Sequence, residues 1–335
     1  MALTTIWADM NKNSFSTFFG WLRRWVFGLS DEAVSFERRG FQGADAAMRR
    51  RIDVVCRAFL TGYYFSLEGN SSRELESKLA AVEPELRGFA FEGAAMGLAL
   101  RERVTPWNSG LLKKFLAGHG DAHAYMIHVG LGWVWARAPF GFRRCQKKLD
   151  PLLGWLAFDG WGFHEGFFHW PNYIAGQPAP QKLKGYERRA FDQGLGRSLW
   201  FVNGGNVELI TRTISHFSAD RQGDLWSGLG LAATYAGMAD EDALQKLREN
   251  SGPFRPQLAQ GAAFATKARQ RAGNTTAYTD RAAKKICELS AEDAAHLTDA
   301  ALENLPADAA EPAYEIWRRR IQTHFVRNPQ TQAVP

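Results

Sequence analysis

A glycine-centred pattern recurs along the 335 residues of this chain and limits the folds that it can adopt. Each copy reads apolar residue, any residue, a small or polar residue and then glycine, and most copies have Gly or Ala two positions later. We call the glycines of the seven copies the marker glycines: Gly62, Gly93, Gly130, Gly166, Gly194, Gly228 and Gly261. The intervals between them are 31, 37, 36, 28, 34 and 33 residues. Such a period, about 33 residues on average, is typical of helical-repeat proteins.

Energetics place these glycines inside helices that pack closely. A glycine in the middle of a helix costs roughly 0.5–1 kcal/mol relative to alanine, so its repeated use requires a compensating gain. Close approach of neighbouring helix backbones is that gain. Amphipathic stretches at 71–82 and 240–248, and a capped start at Ser290, supply second helices, whereas strand-like alternation is almost absent. We therefore predict an all-α array of about seven helical pairs, either an open solenoid or a closed α/α toroid.

Prolines divide this array. Pro171, Pro178 and Pro180 fall in the shortest interval, where they end the helix that carries Gly166 and leave too few residues for a full partner helix. A break of this kind is often the place where a pocket opens. The predicted segments are an N-terminal amphipathic or capping helix at 1–34, a first repeat half at 35–170, a Pro-rich break at 171–184, a second half at 185–326 and a flexible tail at 327–335.

Composition excludes a disordered tail, a disulfide scaffold and a polytopic membrane protein. The chain is 45% apolar with a net charge of +6, its three cysteines are widely spaced, and no apolar run approaches a membrane span of about 20 residues. Basic runs are short and interspersed with acids, so no nucleic-acid partner is expected. A signal peptide is absent, which predicts a cytoplasmic protein. The amphipathic residues 14–27 either cap the first repeat or contact the inner face of the membrane peripherally.

Histidines concentrate in one part of the chain. Five of eight lie between 119 and 169: His119, His123, His128, His164 and His169. His128 and His164 both stand two positions before a marker glycine, so their imidazoles are expected to converge from neighbouring repeats. Glu165 and His169 share a helical face at i, i+4 spacing. We predict a site that binds Fe, Cu or Zn through His128, His164 and His169, with Glu92, His128, His164 and Glu165 as catalytic candidates. The alternative is that these histidines are structural and bond backbone carbonyls.

The residues just before the marker glycines form a polar series: Thr61, Glu92, Glu165, Gln193, Ser227 and Gln260. They line either a shared groove or the helix ends between repeats, and Asp192 and Arg197 are candidates for a nearby ion pair. Residues 125–170 also hold 12 aromatic residues among 46. Apolar walls with few polar groups describe a ligand pocket, although a packed core gives the same count. The substrate-binding candidates are Trp133, Trp161, Phe167, Gln193, Arg197 and Gln260.

Several motifs carry a resemblance to a known family. They are ELRGFAFEGAAM (86–96, with the preceding Glu), YMIHVGLGW (125–133), GWGFHEGFFHW (160–170), RRAFDQGLGRSLWF (188–201), LWSGLGLAATYAG (225–237) and QLAQGAAFATKARQRAG (257–273). Together they resemble a bacterial family of unknown function that includes the UnbL proteins, encoded beside the polyketide synthase in enediyne gene clusters. The resemblance runs from about residue 35 to 327. It implies a role in specialised metabolism on a polyene or lipid-like intermediate, and it supplies no catalytic residues.

Two functions from different classes follow. The first is an enzyme or tailoring factor that acts on a long apolar unsaturated intermediate, with metal-dependent catalysis as one option. The alternative is a non-catalytic α-solenoid that serves as a scaffold or carrier for a partner protein or hydrophobic ligand. The expected partners are accordingly a hydrophobic small molecule or carrier-bound polyene, and other biosynthetic proteins. RNA binding by a pentatricopeptide-like array rests only on the period and the positive charge.

Overall fold

The computed structural model describes residue 20 and residues 22–69, 71–105, 109–306 and 309–327. Within these ranges the chain forms α-helices, three 3₁₀ turns and one π-helical turn, and it forms no strand. The predicted all-α class is confirmed, with helices that pack in neighbouring pairs. None of the helices in these ranges combines the length and the apolar character that crossing a membrane requires.

Seven long helices contain the marker glycines, one in each. We label them α1 to α7: Ala46–Leu67, Arg87–Val104, Ala124–Arg137, Leu156–Phe168, Tyr186–Val202, Ala219–Ala236 and Arg255–Arg271. Each packs against the next along the chain. A further long helix, α8, spans Ala313–Arg327. The glycine pattern therefore identified the helices that build the interior.

Shorter elements connect the long helices. The short α-helices are Asp31–Val34, Phe36–Arg39, Ser72–Ala80, Leu111–Leu116, Phe142–Gln146, Val207–Ser215, Glu241–Asn250, Ala277–Ile286 and Ala291–Ala300. The 3₁₀ turns are Asp121–His123, Leu153–Trp155 and Gly252–Phe254. Three predicted second helices are present, and Ser71, Asp240 and Ser290 each accept a backbone hydrogen bond as the N-cap residue.

Close backbone approach is the reason for the glycines, as predicted. A Cβ atom on Gly194 would lie 1.7 Å from the carbonyl oxygen of Asp159 on α4. A Cβ on Gly228 would lie 1.8 Å from the carbonyl oxygen of Gln193 on α5. Real Cβ atoms do not approach backbone oxygens this closely, so no larger residue fits at either position without moving a helix.

Two glycines that lie two positions apart on one helix contact the helices on its two opposite sides. Gly194 faces α4, whereas a Cβ on Gly196 would lie 2.1 Å from the carbonyl oxygen of Leu225 on α6. Two residues along a helix correspond to a rotation of about 200°, because the helix has 3.6 residues per turn. One glycine pair therefore admits a close neighbour on each side of the same helix.

The sequence pattern assigned the wrong marker glycine, Gly166, to α4. Its glycine pair is Gly160 and Gly162: Cβ atoms there would lie 1.9 Å from the carbonyl oxygens of Val129 on α3 and Phe191 on α5. Gly166 instead approaches side-chain atoms on α5. The marker position of α4 is therefore Gly160, six residues earlier than the sequence pattern placed it.

The chain between α4 and α5 departs from the helical pattern. After Phe168 it forms a π-helical turn, Pro171–Ala175, and then no α-helix until Tyr186. Trp170 anchors this segment by donating its indole N–H to the carbonyl of Arg39 at 2.8 Å. The irregular stretch coincides with the Pro-rich break predicted at 171–184, while the domain boundaries themselves stay a prediction.

The C-terminal helix α8 closes one side of the interior. Its residues Tyr314, Trp317, Arg318 and Ile321 are at most 1% exposed. Gln193 on α5 donates to the Tyr314 hydroxyl at 3.0 Å. Gln260, which precedes the marker glycine of α7, likewise accepts hydrogen bonds from Arg318 and Gln322 of α8.

Both ends of the chain lie partly outside the described residues. Of the amphipathic stretch predicted at 14–27, residues 14–19 and 21 are outside, and residues 22–27 are helical. Trp25 and Val26 in this helical part are 73% and 53% exposed. Of the predicted tail at 327–335, residues 328–335 are outside the described ranges.

Candidate functional site

A central cavity lies among the long helices. Residues of α1 to α6 line it, so six of the seven glycine-bearing helices meet at this one place. Its walls are mainly aromatic rings, from Phe59, Phe89, Trp133, Phe163, Phe167 and Phe201. The cavity itself measures about 40 Å³, and all the empty space between its walls, counted out to the mouth, is about 550 Å³. An apolar enclosure with few polar groups is the usual form of a small-molecule site.

Glu92 is the carboxyl group of this cavity. It stands one position before Gly93 on α2, is 3% exposed, and accepts a hydrogen bond from the indole N–H of Trp133 at 3.0 Å. Burial raises the pKa of Glu92 to about 7, against the lowering influence of the Arg197 charge and the Trp133 hydrogen bond. A carboxyl with this pKa is poised to give or take a proton near neutral pH.

Arg197 is the positive charge of the cavity, and it forms a buried ion pair with Asp159. Asp159 is fully buried and also accepts a hydrogen bond from Gln193 at 2.8 Å. Burial lowers the pKa of Arg197, but the nearby acidic groups of Asp159 and Glu92 raise it by more than burial lowers it. The pKa of Arg197 is therefore above its ordinary value. The guanidinium therefore stays charged inside the protein.

The ion pair predicted between Asp192 and Arg197 is wrong. Asp192 binds Arg221 instead, and Arg197 reaches back 38 residues along the chain to Asp159. In an α-helix a separation of five residues rotates the two side chains by about 140°, so they leave the helix on different sides. Asp192 is buried and directed toward Arg221 on α6, and Arg197 lines the cavity.

Sequence reasoning missed Asp159, although a signal was present. The segment Asp159-Gly-Trp-Gly162 has the same form, polar residue, Gly, any residue, Gly, as Gln193-Gly-Leu-Gly196 and Ser227-Gly-Leu-Gly230. Choosing Gly166 as the marker placed Glu165 in the polar series. In the structure Asp159 occupies that place, next to Gly160.

A second cluster of titratable groups lies at the end of α4. The Nδ1 atom of His169 is 2.7 Å from Oε2 of Glu165, and Nδ1 of His164 is 3.9 Å from Oε1 of the same carboxylate. Glu165 also accepts a hydrogen bond from the indole N–H of Trp161 at 3.3 Å. One potential ligand atom from each of His164, Glu165 and His169 lies within 4.8 Å of the others. We call these three residues the His/Glu cluster.

The end of the helix explains why His164 and His169 meet. Five residues apart, they would not share a face of a continuous α-helix. The helix ends at Phe168, and His169 has φ −125° and ψ 31° as the chain turns toward Pro171. The two imidazole centroids are consequently 5.8 Å apart.

The residue types of the His/Glu cluster suit a metal site, but one of the nitrogens that would bind the metal carries a proton. Two imidazoles and a carboxylate are suitable ligands for Fe, Cu or Zn, and within the described residues the buried Nδ1 of His164 has no hydrogen-bond partner. However, Arg137 donates to Nε2 of His164 at 3.3 Å, which leaves the proton of the neutral ring on Nδ1. Burial, followed by the charge of Arg137, lowers the pKa of His164 well below its ordinary value. A metal ion at Nδ1 requires Arg137 to withdraw.

His128 is separate from the His/Glu cluster. Its Nδ1 lies 2.8 Å from the carbonyl oxygen of Ala124, and its side chain lines a different cavity together with Asp150 and Arg271. The predicted convergence of His128 with His164 does not occur. The reason is the register of α4: His128 lies two positions before the true marker glycine of its helix, whereas His164 follows Gly160.

The predicted substrate-binding residues divide between two environments. Trp133, Phe167 and Arg197 line the central cavity. Trp161 lies outside it and contacts Glu165, Gln193 bonds Asp159 and Tyr314, and Gln260 accepts hydrogen bonds from Ser227, Arg318 and Gln322. The glutamines therefore join α8 to the long helices.

Tyr235 also lines the central cavity and was not predicted. It lies seven residues after Gly228, and therefore on the same face of α6 as the glycine that contacts α5. No local motif distinguishes it from the other aromatic residues. Its place at the site follows from a long-range contact, in which Phe89 of α2 meets its ring edge-on.

Comparison with known proteins identifies a family without assigning an activity. A family model described as protein of unknown function (DUF1702) matches residues 18–325. No curated protein and no solved structure matches the chain. The match covers all seven glycine-bearing helices, the central cavity and the His/Glu cluster.

Proposed function

We propose that this chain, which belongs to the DUF1702 family of proteins of unknown function, binds a long unsaturated apolar molecule in the central cavity and moves a proton on it through Glu92. The observation that carries this proposal is a buried carboxyl group, Glu92, in a cavity with aromatic walls. Apolar walls favour an apolar ligand, and a single carboxyl with a pKa near neutrality is suited to proton transfer.

The resemblance to the UnbL proteins supports a specific substrate class. Those proteins are encoded beside polyketide synthases that make enediynes, so a linear polyene or a carrier-bound polyene is the proposed intermediate. The biosynthetic proteins that make and consume it are the proposed partners. The aromatic rings of Phe59, Trp133 and Phe163 offer flat apolar faces against which conjugated double bonds pack.

The proposed reaction is an acid-initiated shift of a double bond. The protonated carboxyl of Glu92 gives its proton to one carbon of the conjugated chain and becomes a carboxylate. The positive charge spreads along the chain, and the faces of the surrounding rings stabilise it. Glu92 then removes a proton from a different carbon. The double bonds have moved, the carboxyl is restored, and no oxidant or reductant is consumed.

Arg197 and Asp159 hold the charge balance of the cavity in this scheme. Because Asp159 neutralises Arg197, the guanidinium contributes little net positive charge to oppose the developing cation. Trp133 fixes the carboxyl of Glu92 through its indole N–H. Burial of the whole group excludes water that would capture the cation.

We also propose that the seven long helices form a helical-repeat array that closes on itself as an α/α toroid. Six of them contribute to one cavity, and consecutive helices approach through equivalent glycines. The last one, α7, approaches the start of α2, where Arg269 donates to the carbonyl of Glu85 at 2.7 Å. Such closure brings distant residues to a single central site.

The test of the proposed function uses parinaric acid, a conjugated tetraene fatty acid that fluoresces in apolar surroundings. Wild-type protein is expected to bind it and, in deuterated water, to incorporate deuterium into the chain. The Glu92→Gln variant should bind but not exchange, and Glu165→Gln serves as the matched control that retains exchange. Absence of binding contradicts the proposal. Binding without exchange in the wild type favours the non-catalytic carrier instead.

A second candidate, metal-dependent catalysis, rests on the His/Glu cluster. Its three potential ligand atoms lie within 4.8 Å of one another, and a buried nitrogen of His164 has no hydrogen-bond partner in the part of the chain that the structure describes. Titration calorimetry with Zn²⁺ or Fe²⁺ tests it. One ion bound per chain, with binding lost in His169→Ala, supports a metal enzyme, and equal heats for wild type and variant reject it.

A further inference from the structure

A second cavity adjoins the central one. It is lined by three glycine-containing loops, around Gly43, Gly204 and Gly237, and by charged side chains. Tyr235 and Ala236 line both cavities, so a single residue layer separates them. We call this second space the outer cavity. The outer cavity itself measures about 540 Å³, and the empty space counted out to its open mouth is about 1210 Å³.

Tyr235 forms the partition between the two cavities. One face of its ring lies 4.0 Å from the guanidinium carbon of Arg269, and Phe89 packs edge-on with the centroids 5.3 Å apart. Its hydroxyl group is buried without a hydrogen-bond partner in the described ranges. No polar contact of the hydroxyl therefore has to break when the ring turns aside.

The backbone that follows Tyr235 is irregular. Helix α6 ends at Ala236, and both Gly237 and Met238 have positive φ values, 86° and 94°. For a residue with a side chain, such as Met238, this conformation is strained. The strained turn forms part of the wall of the outer cavity, next to the partition.

Arg269 is the cation of the outer cavity that forms no ion pair within the described residues. It is 1% exposed, and its guanidinium donates to the carbonyl oxygens of Glu85 at 2.7 Å and Tyr235 at 2.6 Å. Its Nε–H has no partner, and Arg269 forms no ion pair with any carboxylate in the described ranges. Buried charges in proteins are normally paired, so this one implies an anion.

The acids of the outer cavity are already engaged. Asp45 accepts the backbone N–H of Met48 at 2.7 Å, and Asp240 accepts that of Ala243 at 2.8 Å. Both are N-cap residues, whose charge the helix N-terminus stabilises. Glu85 is paired with Arg51 at 2.6 Å. Burial lowers the pKa of Arg269, and the charge of Glu85 offsets this only in part.

We propose that the outer cavity binds the carboxylate head group of an amphiphilic ligand at Arg269, while the apolar chain passes Tyr235 into the central cavity. This inference rests on the proposed function, because it assumes that an unsaturated chain occupies the central cavity. It adds the substrate class, a long-chain polyenoic acid, and the direction of entry. The carbons that reach Glu92 are then remote from the carboxylate.

The test compares parinaric acid with its uncharged methyl ester, by fluorescence titration of the full-length wild-type protein and two variants. Wild type should bind the acid more tightly than the ester. Arg269→Gln should weaken binding of the acid by about tenfold or more and leave the ester unchanged, since a buried charge-assisted hydrogen bond is lost. Arg269→Lys keeps the charge and should restore much of the preference for the acid.

The outcomes separate the two proposals. Equal binding of acid and ester by the wild type overturns the head-group site and leaves the central cavity as the binding site. Binding of neither probe overturns both. If Arg269→Gln does not fold, the preference of the wild type and its loss in concentrated salt decide the question. A preference for the acid that persists in Arg269→Gln, or that is insensitive to salt where that variant does not fold, contradicts the proposal.

Discussion

Two regions of this protein contain similar groups and arrange them differently. In the central cavity the carboxyl of Glu92 accepts a hydrogen bond from Trp133, and in the His/Glu cluster the carboxyl of Glu165 accepts one from Trp161. Burial raises the pKa of both. Glu165, however, is also held by His169, which lowers its pKa, whereas Glu92 faces apolar walls. The surroundings, and not the residue type, determine which carboxyl is poised to react.

Trp133 lies between these two regions. Its indole N–H bonds Glu92, and its ring meets the imidazole of His164 at an angle of 83° with centroids 5.6 Å apart. The central cavity and the His/Glu cluster are therefore neighbours with a shared wall. Substitutions on each side of this wall show whether the central cavity and the His/Glu cluster act separately.

The largest expected effect compares two glycines of α4. Gly162→Ala places a methyl group 1.9 Å from the backbone oxygen of Phe191, so we expect a loss of about 4 kcal/mol or more in unfolding free energy. Gly166→Ala, next to the His/Glu cluster, meets side-chain atoms of Ser198 and Leu195 and should cost about 1–3 kcal/mol. Urea denaturation measures both. Equal losses would contradict the corrected register.

The next effect concerns the buried ion pair of the cavity. Arg197→Met leaves Asp159 charged and fully buried, so we expect a loss of about 3–5 kcal/mol in unfolding free energy. The double variant with Asp159→Asn should recover part of this loss, because no unpaired charge remains. Chemical denaturation of the single and double variants checks the prediction. No recovery in the double variant would show that the pair is not coupled.

The third effect is a dependence of the unfolding free energy on pH, which Glu92 causes. Its folded-state pKa, about 7, is higher than the unfolded value of 4.5, so folding favours the protonated form. The associated stability is fully present below pH 4.5 and is lost as the pH rises through about 7, a total of about 3 kcal/mol. Glu92→Gln should abolish most of this decline, as measured by denaturation across the pH range. A decline that persists in the variant assigns the dependence to another group.

The smallest effect belongs to the His/Glu cluster. The side chain of His169 is 50% exposed, so its ion pair with Glu165 is screened by solvent. His169→Ala should therefore lower the unfolding free energy by about 1 kcal/mol or less. Titration with denaturant, in parallel with the Arg197 variants, gives the comparison. A loss as large as that of Arg197→Met would mean that the cluster is a principal structural element.

The sequence predicted those features that local physics repeats along the chain. A mid-helix glycine is costly, so seven recurring glycines indicated seven closely packed helices, and each lies where the pattern placed a helix. The N-cap residues Ser71, Asp240 and Ser290 were predictable because capping depends on neighbours only three residues away. Glu92 and Arg197 were found because they belong to the same repeated motifs.

Other features depend on contacts between distant residues. Arg197 pairs with a residue 38 positions earlier, and the ring of Tyr235 contacts Phe89, which lies far from it along the chain. The meeting of His164 and His169 depends on where α4 ends. The register error at Gly166 was avoidable, since Asp159-Gly-Trp-Gly162 repeats the form of the later motifs.

The protonation state of Glu92 tests the central claim most directly. Infrared difference spectra of wild type against Glu92→Gln, recorded across pH, isolate the carbonyl stretch of this one carboxyl group. We predict that the protonated carboxyl persists well above the ordinary glutamate value of 4.5 and disappears with a midpoint at about 7. A band that is already lost near 4.5 would show that Glu92 is ionised at neutral pH and would contradict its role as the proton donor.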